Sequence, residues 1–375
     1  MAASCGHGDF KGRNQWDGVF VEDTISLTPG ATYDIGNHMI DSITYVILEY
    51  LDDYPVGTVN SLLFMEEYIV VVDQRAANAV YLFSYDGKFR RQISSQGTGP
   101  GEYVNLTHVT LSPDRRQIVI QDRAAKKMMW FDINGRLTRT RDIPQQSGDI
   151  EFINDNTWVS SIYPMTRNVT RKGHCPFFVV TDSLWNFKYA LDYPRKFHEP
   201  YHILPTPLRC SSSGEIFGNI ARDHRLYKFT SDSLYVTYRF LFEGQDNDQD
   251  WEELVSMDND SYFNDNYTLM HPVMDCGDWI SFNLRNGDSG CLALYHKPER
   301  KTYYIDMYHN GNVMYSFLNH IGFCNRNTLI AMADANTFYS NTQFLDRKEN
   351  PLFFEIADRV NAESNPVLVF FHLKQ

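Results

Sequence analysis

The sequence has little that carries familiar chemistry. Its 375 residues include six cysteines: Cys5, Cys175, Cys210, Cys276, Cys291 and Cys324. No two stand in a C-x-x-C pair, which argues against a zinc ribbon or a thioredoxin-type motif. Six are too sparse for a disulfide scaffold, so buried free thiols are expected, with one disulfide as the alternative. No G-x-S-x-G elbow and no H-E-x-x-H occurs, so serine- and zinc-hydrolase chemistry has no handle. No apolar run reaches the ~18–20 residues of a membrane helix. Positive charge is also short. There are 34 Lys and Arg against 47 Asp and Glu, a net charge of -13. That argues against nucleic acid as a partner, and against anionic lipid bound by charge alone. Glycine, at 22 residues, is too scarce for a collagen-like or linker-like chain.

Aromatic residues, by contrast, are abundant, with 23 Tyr and 25 Phe, and 43% of the chain is apolar. Such a composition belongs to a globular chain with a large core. The aromatics fall into a repeat. "VVDQRAANAVYLFSYDGKF" (71–89) resembles "VIQDRAAKKMMWFDINGRL" (119–137). Arg75 matches Arg123, Phe83 matches Phe131 and Gly87 matches Gly135, each 48 residues on. That period is close to a four-stranded propeller blade and too long for the common helical solenoids.

The unit itself reads as a blade. Leu62–Met65, Tyr68–Asp73, Ala79–Tyr85 and Lys88–Ile93 are four strand signals separated by turns. The third is apolar on both faces, as a strand between neighbouring blades must be. The fourth carries Lys88, Arg90 and Arg91, and charge on an outer edge blocks edge-to-edge pairing. Asp86-Gly87 and Asn134-Gly135 predict hairpins with type I′ turns. Weaker copies follow to the C-terminus. About 320 residues divided by a period of about 48 give six to seven units. The last unit is short, so Thr44–Leu51 is expected to complete it beside Val367–Leu373, closing the ring. Two helical insertions are predicted, at "QDWEELVSM" (249–257) with Asp250 as N-cap, and at "ENPLFFEIADRV" (349–360) with Asn350 and Pro351 opening the helix.

The "GTGPGEY" joint (97–103), the strand-Asp-Arg-turn unit (73–87), its copy (119–135) and the ending "EIADRV…NPVLVFFHLK" (355–374) together resemble the NHL-like six-bladed β-propeller lipoproteins of gut Bacteroidetes. The resemblance implies an all-β, six-bladed propeller of four-stranded antiparallel blades in an extracytoplasmic, lipid-anchored setting. It implies no activity and supplies no functional residues. Ala2-Ala3-Ser4-Cys5-Gly6 has the small-small-Cys pattern that ends a bacterial lipoprotein signal, so Cys5 is the expected lipidation site. The apolar stretch that normally precedes such a cysteine is not among these residues. Residues 1–20 are expected to be a flexible segment, and 21–375 one propeller domain.

Candidate sites follow from propeller topology. Loops from one blade's outer strand to the next blade's inner strand share a rim with the loops between second and third strands. Asp73, Arg75, Glu102, Asp122 and Arg123 are therefore expected near the channel mouth. There they would bind a carboxylate or a sugar. In the alternative reading the aspartates tie down loop backbone and the arginines pair with them. "EGQDNDQDWEE" (243–253) imitates a calcium loop, with Asp246, Asp248 and Asp250 at alternate positions. It lacks the required glycine and glutamate, where Trp251 and Met257 stand. His198 and His202 are separated by Pro200, which argues against a helix aligning them on a metal. His174, His224, His271 and His320 fall in different units, where a channel-lining set is conceivable. Trp251, Tyr262 and Tyr201 offer stacking faces for sugar rings. No metal and no cofactor is expected. The expected protein is a monomer that binds a glycan, peptide or protein on the rim, touches membrane only through a lipid anchor and binds no nucleic acid. The alternative is a propeller lyase or hydrolase acting on a glycan or peptide. Convergent titratable groups at the channel mouth would separate the enzyme from a plain binder.

Overall fold

A computed structural model of the chain describes residues 21–28, 39–144, 147–162, 176–192, 208–220, 223–247, 267–286, 289–306, 317 and 321–375. Cys5, the segment 1–20, the helix at 249–257, Asp248, Asp250, His174, His198, His202, His320, Trp251, Tyr262 and Tyr201 lie outside the described residues.

Two strands open the chain, β1 (Val21–Leu27) and β2 (Ile40–Ile47). Blade 1 follows as β3 (Ser61–Phe64), β4 (Tyr68–Asp73), β5 (Ala79–Ser84) and β6 (Phe89–Gln92). Blade 2 is β7 (His108–Leu111), β8 (Ile118–Asp122), β9 (Lys127–Phe131) and β10 (Leu137–Asp142). Blade 3 is β11 (Ser147–Asn154), β12 (Thr157–Ile162), β13 (Pro176–Asp182) and β14 (Phe187–Asp192). Blade 4 is β15 (Leu208–Cys210), β16 (Ile216–Gly218), β17 (Arg225–Phe229) and β18 (Leu234–Phe242). Blade 5 is β19 (Thr268–Cys276), β20 (Trp279–Asn286), β21 (Ser289–His296) and β22 (Lys301–Asp306). Blade 6 takes β23 (Ile321–Cys324), β24 (Thr328–Ala333) and β25 (Val367–Leu373) from the C-terminal end and β2 from the other. Six antiparallel four-stranded blades in a ring make a six-bladed β-propeller.

Alternation along each strand explains the packing. In β4 and β5, Ile69, Val71, Tyr81 and Phe83 face blade 6, where they meet Ile330, Leu368 and Phe370. Val70, Val72, Val80 and Leu82 face blade 2 and meet Val109, Ile120, Met129 and Phe131. A strand sandwiched between two neighbours must be apolar at every position, because successive side chains point to opposite faces. Each fully buried Phe or Val here contributes roughly 1.5–3 kcal/mol. Blades 2 and 3 are joined by Trp130, Phe152 and Trp158.

The predicted hairpins form, but not with type I′ turns. Gly87 (φ 84°) and Gly135 (φ 72°) lie in the left-handed region, whereas Asp86 and Asn134 do not. The Gly87 N–H donates to Ser84 O at 2.9 Å, and the ladder slips between Leu82 and Phe83. This is a type I turn followed by a glycine bulge, which needs one left-handed residue instead of two.

The repeat also changes register in its middle. Ile69 pairs with Phe83, and Ile118 pairs with Phe131. The second strands are thus 49 residues apart and the third strands 48. The second-to-third loop spans 74–78 in blade 1 and 123–126 in blade 2, one residue shorter. Asp73 is therefore the counterpart of Asp122, and Gln74 that of Arg123.

Ring closure is as expected beside Val367–Leu373, but the closing strand begins and ends four residues earlier than Thr44–Leu51. Ile40–Ile47 pairs antiparallel with Val367–Leu373. β1, which pairs parallel to β18 as a fifth strand on blade 4, has no counterpart in the repeat. The helix α1 (Ala335–Asn341) is likewise unannounced; Asp334 caps it by accepting from Thr337 N at 2.8 Å. The predicted C-terminal helix is present as α2 (Pro351–Ala357), with Pro351 in its first turn, though the Asn350 side chain makes no cap bond.

One buried side chain locks the closing strands. Asn365, 2% exposed, accepts from Val56 N at 2.8 Å and donates to Glu49 O at 2.9 Å. Its truncation leaves two backbone groups without partners. Asn365→Ala is expected to cost about 3 kcal/mol in urea unfolding. A loss under about 0.5 kcal/mol, the scale of an ordinary surface substitution, would show that the lock is dispensable.

Candidate functional site: the upper channel

The six inner strands surround a central channel. Each runs from the rim built by the interblade and second-to-third loops, called upper here, toward the opposite rim. Two chambers follow one another along it. The upper one, about 110 Å³, is lined by Gln74, His108, Asp149, Glu151, Arg209 and Asp275 among others. The lower one, about 100 Å³, is lined by Thr110, Ser112, Arg115, Ser212 and Asn325 among others. Leu63, Glu151, Cys210 and Cys324 border both and mark the neck between them. At about 10–15 Å³ per water-sized probe, the upper chamber suits a small polar group of several heavy atoms.

Its polar groups come chiefly from alternate positions of two inner strands, β7 and β11, joined by Arg209 of β15 and Asp275 of β19. His108 and Thr110 share one face of β7, while Val109 enters the blade core. Asp149 and Glu151 share one face of β11, while Ile150 and Phe152 pack behind. His108 Nε2 lies 3.0 Å from Glu151 Oε1, and Nδ1 lies 3.8 Å from Asp149 Oδ1. Thr110 donates to Glu151 Oε2 at 2.5 Å. Arg209 enters from blade 4, and its Nη1 reaches Gly322 O at 3.4 Å. Asp275 is held by Lys297 at 2.6 Å.

Burial and charge compete here. Burial alone would lower His108, but Asp149 and Glu151 beside it raise it above the ordinary imidazole value. Burial raises the Asp149 carboxyl, against the opposing pull of His108. Burial lowers Arg209. Two acceptors, Asp149 Oδ2 and Gln121 Oε1, are buried and have no hydrogen-bond donor among the described residues. Gln121 stands opposite His108 in the β7–β8 ladder, and its amide nitrogen is already given to Gly148 O at 2.6 Å. Among the described residues no group of three or more His, Cys, Asp or Glu is arranged to hold a metal.

The five rim residues expected from sequence are placed unequally. Asp73 is fully buried and accepts four backbone N–H bonds, from Gly57, Thr58, Arg75 and Ala76, at 2.8–3.2 Å. Asp122, also fully buried, accepts from Val104 at 2.6 Å and Ala125 at 2.9 Å. Each aspartate thus clamps its own second-to-third loop to the incoming interblade loop. Arg75 is exposed. Glu102 is exposed too and folds back to accept from Gly99 N at 2.7 Å. Its carboxylate fills the space a Cβ would need at Gly97, and only Gly101 of the three glycines has positive φ, at 82°. Arg123 is half-buried, and its positive charge lowers both His108 and Asp149. The register slip accounts for the difference between the arginines: the position of Arg123 is filled in blade 1 by Gln74, which lines the chamber, and not by Arg75.

Sequence reading missed His108, Asp149, Glu151 and Arg209. A signal was present: "THVT" and "GDIEF" alternate polar with apolar inside strands that a blade buries. Of the histidines it singled out, His224 is a core residue against Phe242, pushed down to about 4 by burial.

The fold and the channel define a class: a six-bladed β-propeller with a charged, histidine-bearing upper channel. The chain belongs to the family described as Domain of unknown function (DUF4934), which matches residues 36–372. A solved Bacteroides fragilis protein described as a "putative exported protein" is 18% identical, with a TM-score of 0.74, over 94% of this chain and 100% of its own. A DUF4221 family member from Bacteroides vulgatus is 12% identical, with a TM-score of 0.50, over 89% of this chain and 97% of its own. At these identities the likeness concerns the fold. No curated protein matches the chain.

The channel cluster carries a pH signature. His108 is raised above its unfolded value of about 6.5, so its protonated form stabilises the fold fully below that pH and loses the effect as pH rises through the folded value. Asp149, also raised, works in the same direction. Urea midpoints should therefore fall between pH 6 and pH 9, and His108→Gln should flatten that fall. An unchanged slope in the variant would remove His108 from the account.

Proposed function

We propose that the protein is an extracytoplasmic binding propeller whose ligand enters the upper channel from the rim. One observation carries this reading. Asp149 Oδ2 and Gln121 Oε1 are buried acceptors lacking donors, and such groups are costly unless something supplies a hydrogen bond. Asp149 lines the upper chamber, and a hydroxyl- or amine-bearing part of a glycan or peptide would satisfy its Oδ2. Arg75, Glu102 and Arg123 extend the site outward along the rim, and Asp73 and Asp122 hold the loops that present them. A glycan and peptide screen read by thermal shift tests this. A hit is expected to lose at least about tenfold in affinity with Asp149→Asn, a charged hydrogen bond being worth roughly 1.5–3 kcal/mol. Unchanged affinity would move the site away from the channel.

A second reading has its own support. A raised histidine bridging two carboxylates, one of them also raised, is the kind of paired environment used for proton transfer. On that reading the same chamber serves a lyase or hydrolase acting on a glycan or peptide. Turnover of a screened ligand, lost in His108→Gln with binding retained, would establish it; binding without turnover would leave the binder.

The location belongs to the proposal too. The Ala-Ala-Ser-Cys5 run favours a lipid anchor on Cys5, and the Bacteroides fragilis neighbour, described as a "putative exported protein", favours the cell envelope. Labelled fatty acid fed to an expressing bacterium should enter the protein and be lost in Cys5→Ser. Equal labelling of the variant would overturn the anchor.

A further inference from the structure

Two of the described cysteines meet at the lower end of neighbouring inner strands. Cys276 ends β19 in blade 5, and Cys324 ends β23 in blade 6. Cys324 Sγ lies 3.5 Å from Asp275 O, the carbonyl immediately before Cys276. Cys276 Sγ lies 3.5 Å from Met274 O, and Cys324 packs against the core cluster that holds Cys276. The turns just beyond them are tied together: Asp278 N donates to Asn327 Oδ1 at 2.8 Å, and Asn327 Nδ2 donates to Asp278 Oδ2 at 2.9 Å. The backbone is thereby held where both side chains converge.

Access is unequal. Cys276 is fully buried in the core between blades 5 and 6. Cys324 is partly exposed and lines both chambers of the channel. Cys210 also lines the neck and is exposed, but it ends β15 in blade 4, two blades away from Cys324. The channel therefore leads a small oxidant to Cys324, with Cys276 directly behind it.

We propose that Cys276 and Cys324 form a reversible disulfide that staples blade 5 to blade 6 beside the ring closure. The oxidant is a small disulfide such as bis(2-hydroxyethyl) disulfide, which has eight heavy atoms. Cys324, having given its proton to solvent, attacks one sulfur of the oxidant; the new bond is a mixed disulfide, and one small thiolate leaves. Cys276 then gives up its proton and attacks the Cys324 sulfur, and the second half of the oxidant leaves as thiolate. The two cysteines are oxidised by two electrons, and the oxidant is reduced to two thiols. Because Cys276 is buried, the second step is slow in the folded protein and speeds up with pH. It is faster during folding, before the core closes. The inference stands whether or not the upper chamber binds a ligand.

The test is peptide mapping by mass spectrometry of the full chain, refolded in glutathione redox buffer and, separately, oxidised in the folded state. The expected result is a peptide linking Cys276 to Cys324 that dithiothreitol removes. The oxidised protein is expected to melt at least about 5 °C higher than the reduced protein, because the bond closes a loop of roughly 49 residues. Cys276→Ser should abolish both the linked peptide and the shift. Absence of the linked peptide after refolding, or linkage of Cys324 to Cys210 instead, would overturn the proposal. The wild-type mapping decides the matter even if a variant fails to fold.

Discussion

Pairing of β2 with β25 is the constraint on which the rest of the structure depends. Inner strands such as β3 and β7 are only four residues long and face a channel on one side. They are held in place by the blades behind them, and each blade is held by its two neighbours. Blade 1 packs on blade 6 through Ile69, Val71, Tyr81 and Phe83, so the C-terminal blade must be complete for the N-terminal one to be buried. The chain meets this need with its own beginning, and Asn365 fixes the junction from inside. An open arc of the same blades would leave two apolar faces in water.

A closed ring makes the channel a place where charge can be buried at defined positions. His108, Asp149, Glu151 and Arg209 come from three consecutive blades and meet because those blades pack side by side. Their opposite charges offset part of the cost of burying each one, the usual condition for buried ions. The compensation is incomplete at Asp149 Oδ2 and Gln121 Oε1, and the unmet hydrogen bonding at Asp149 is what the proposed binding role rests on. The aspartate clamps at Asp73 and Asp122 fix the loops that form the upper rim around this chamber.

Much of the fold was legible in the sequence. The β-branched runs of β4 and β5, the Asp-Gly and Asn-Gly turns and the shortened last unit pointed to blades and to their closure. Each of those features is local or repeats along the chain. What was not legible is pairwise and distant. His108 and Glu151 lie 43 residues apart in different blades, and the packing of blade 2 on blade 3 brings them to 3.0 Å. The single-residue slip between Gln74 and Arg123 was hidden because the loop length changes between two well-matched strands. Sequence alignment therefore equated Arg75 with Arg123, whereas the structure exposes one and turns the other's charge toward the channel. The parallel strand β1 belongs to no repeat, and nothing in its seven residues names β18 as its partner.

Placing a bound ligand by crystallography tests the central claim most directly, that the upper chamber is where this propeller meets its ligand. With a ligand found by screening, the account predicts a donor atom within about 3.2 Å of Asp149 Oδ2, with His108 and Arg209 around the same group. Ligand density confined to the outer blade edges or the lower rim, with the upper chamber unchanged, would contradict it.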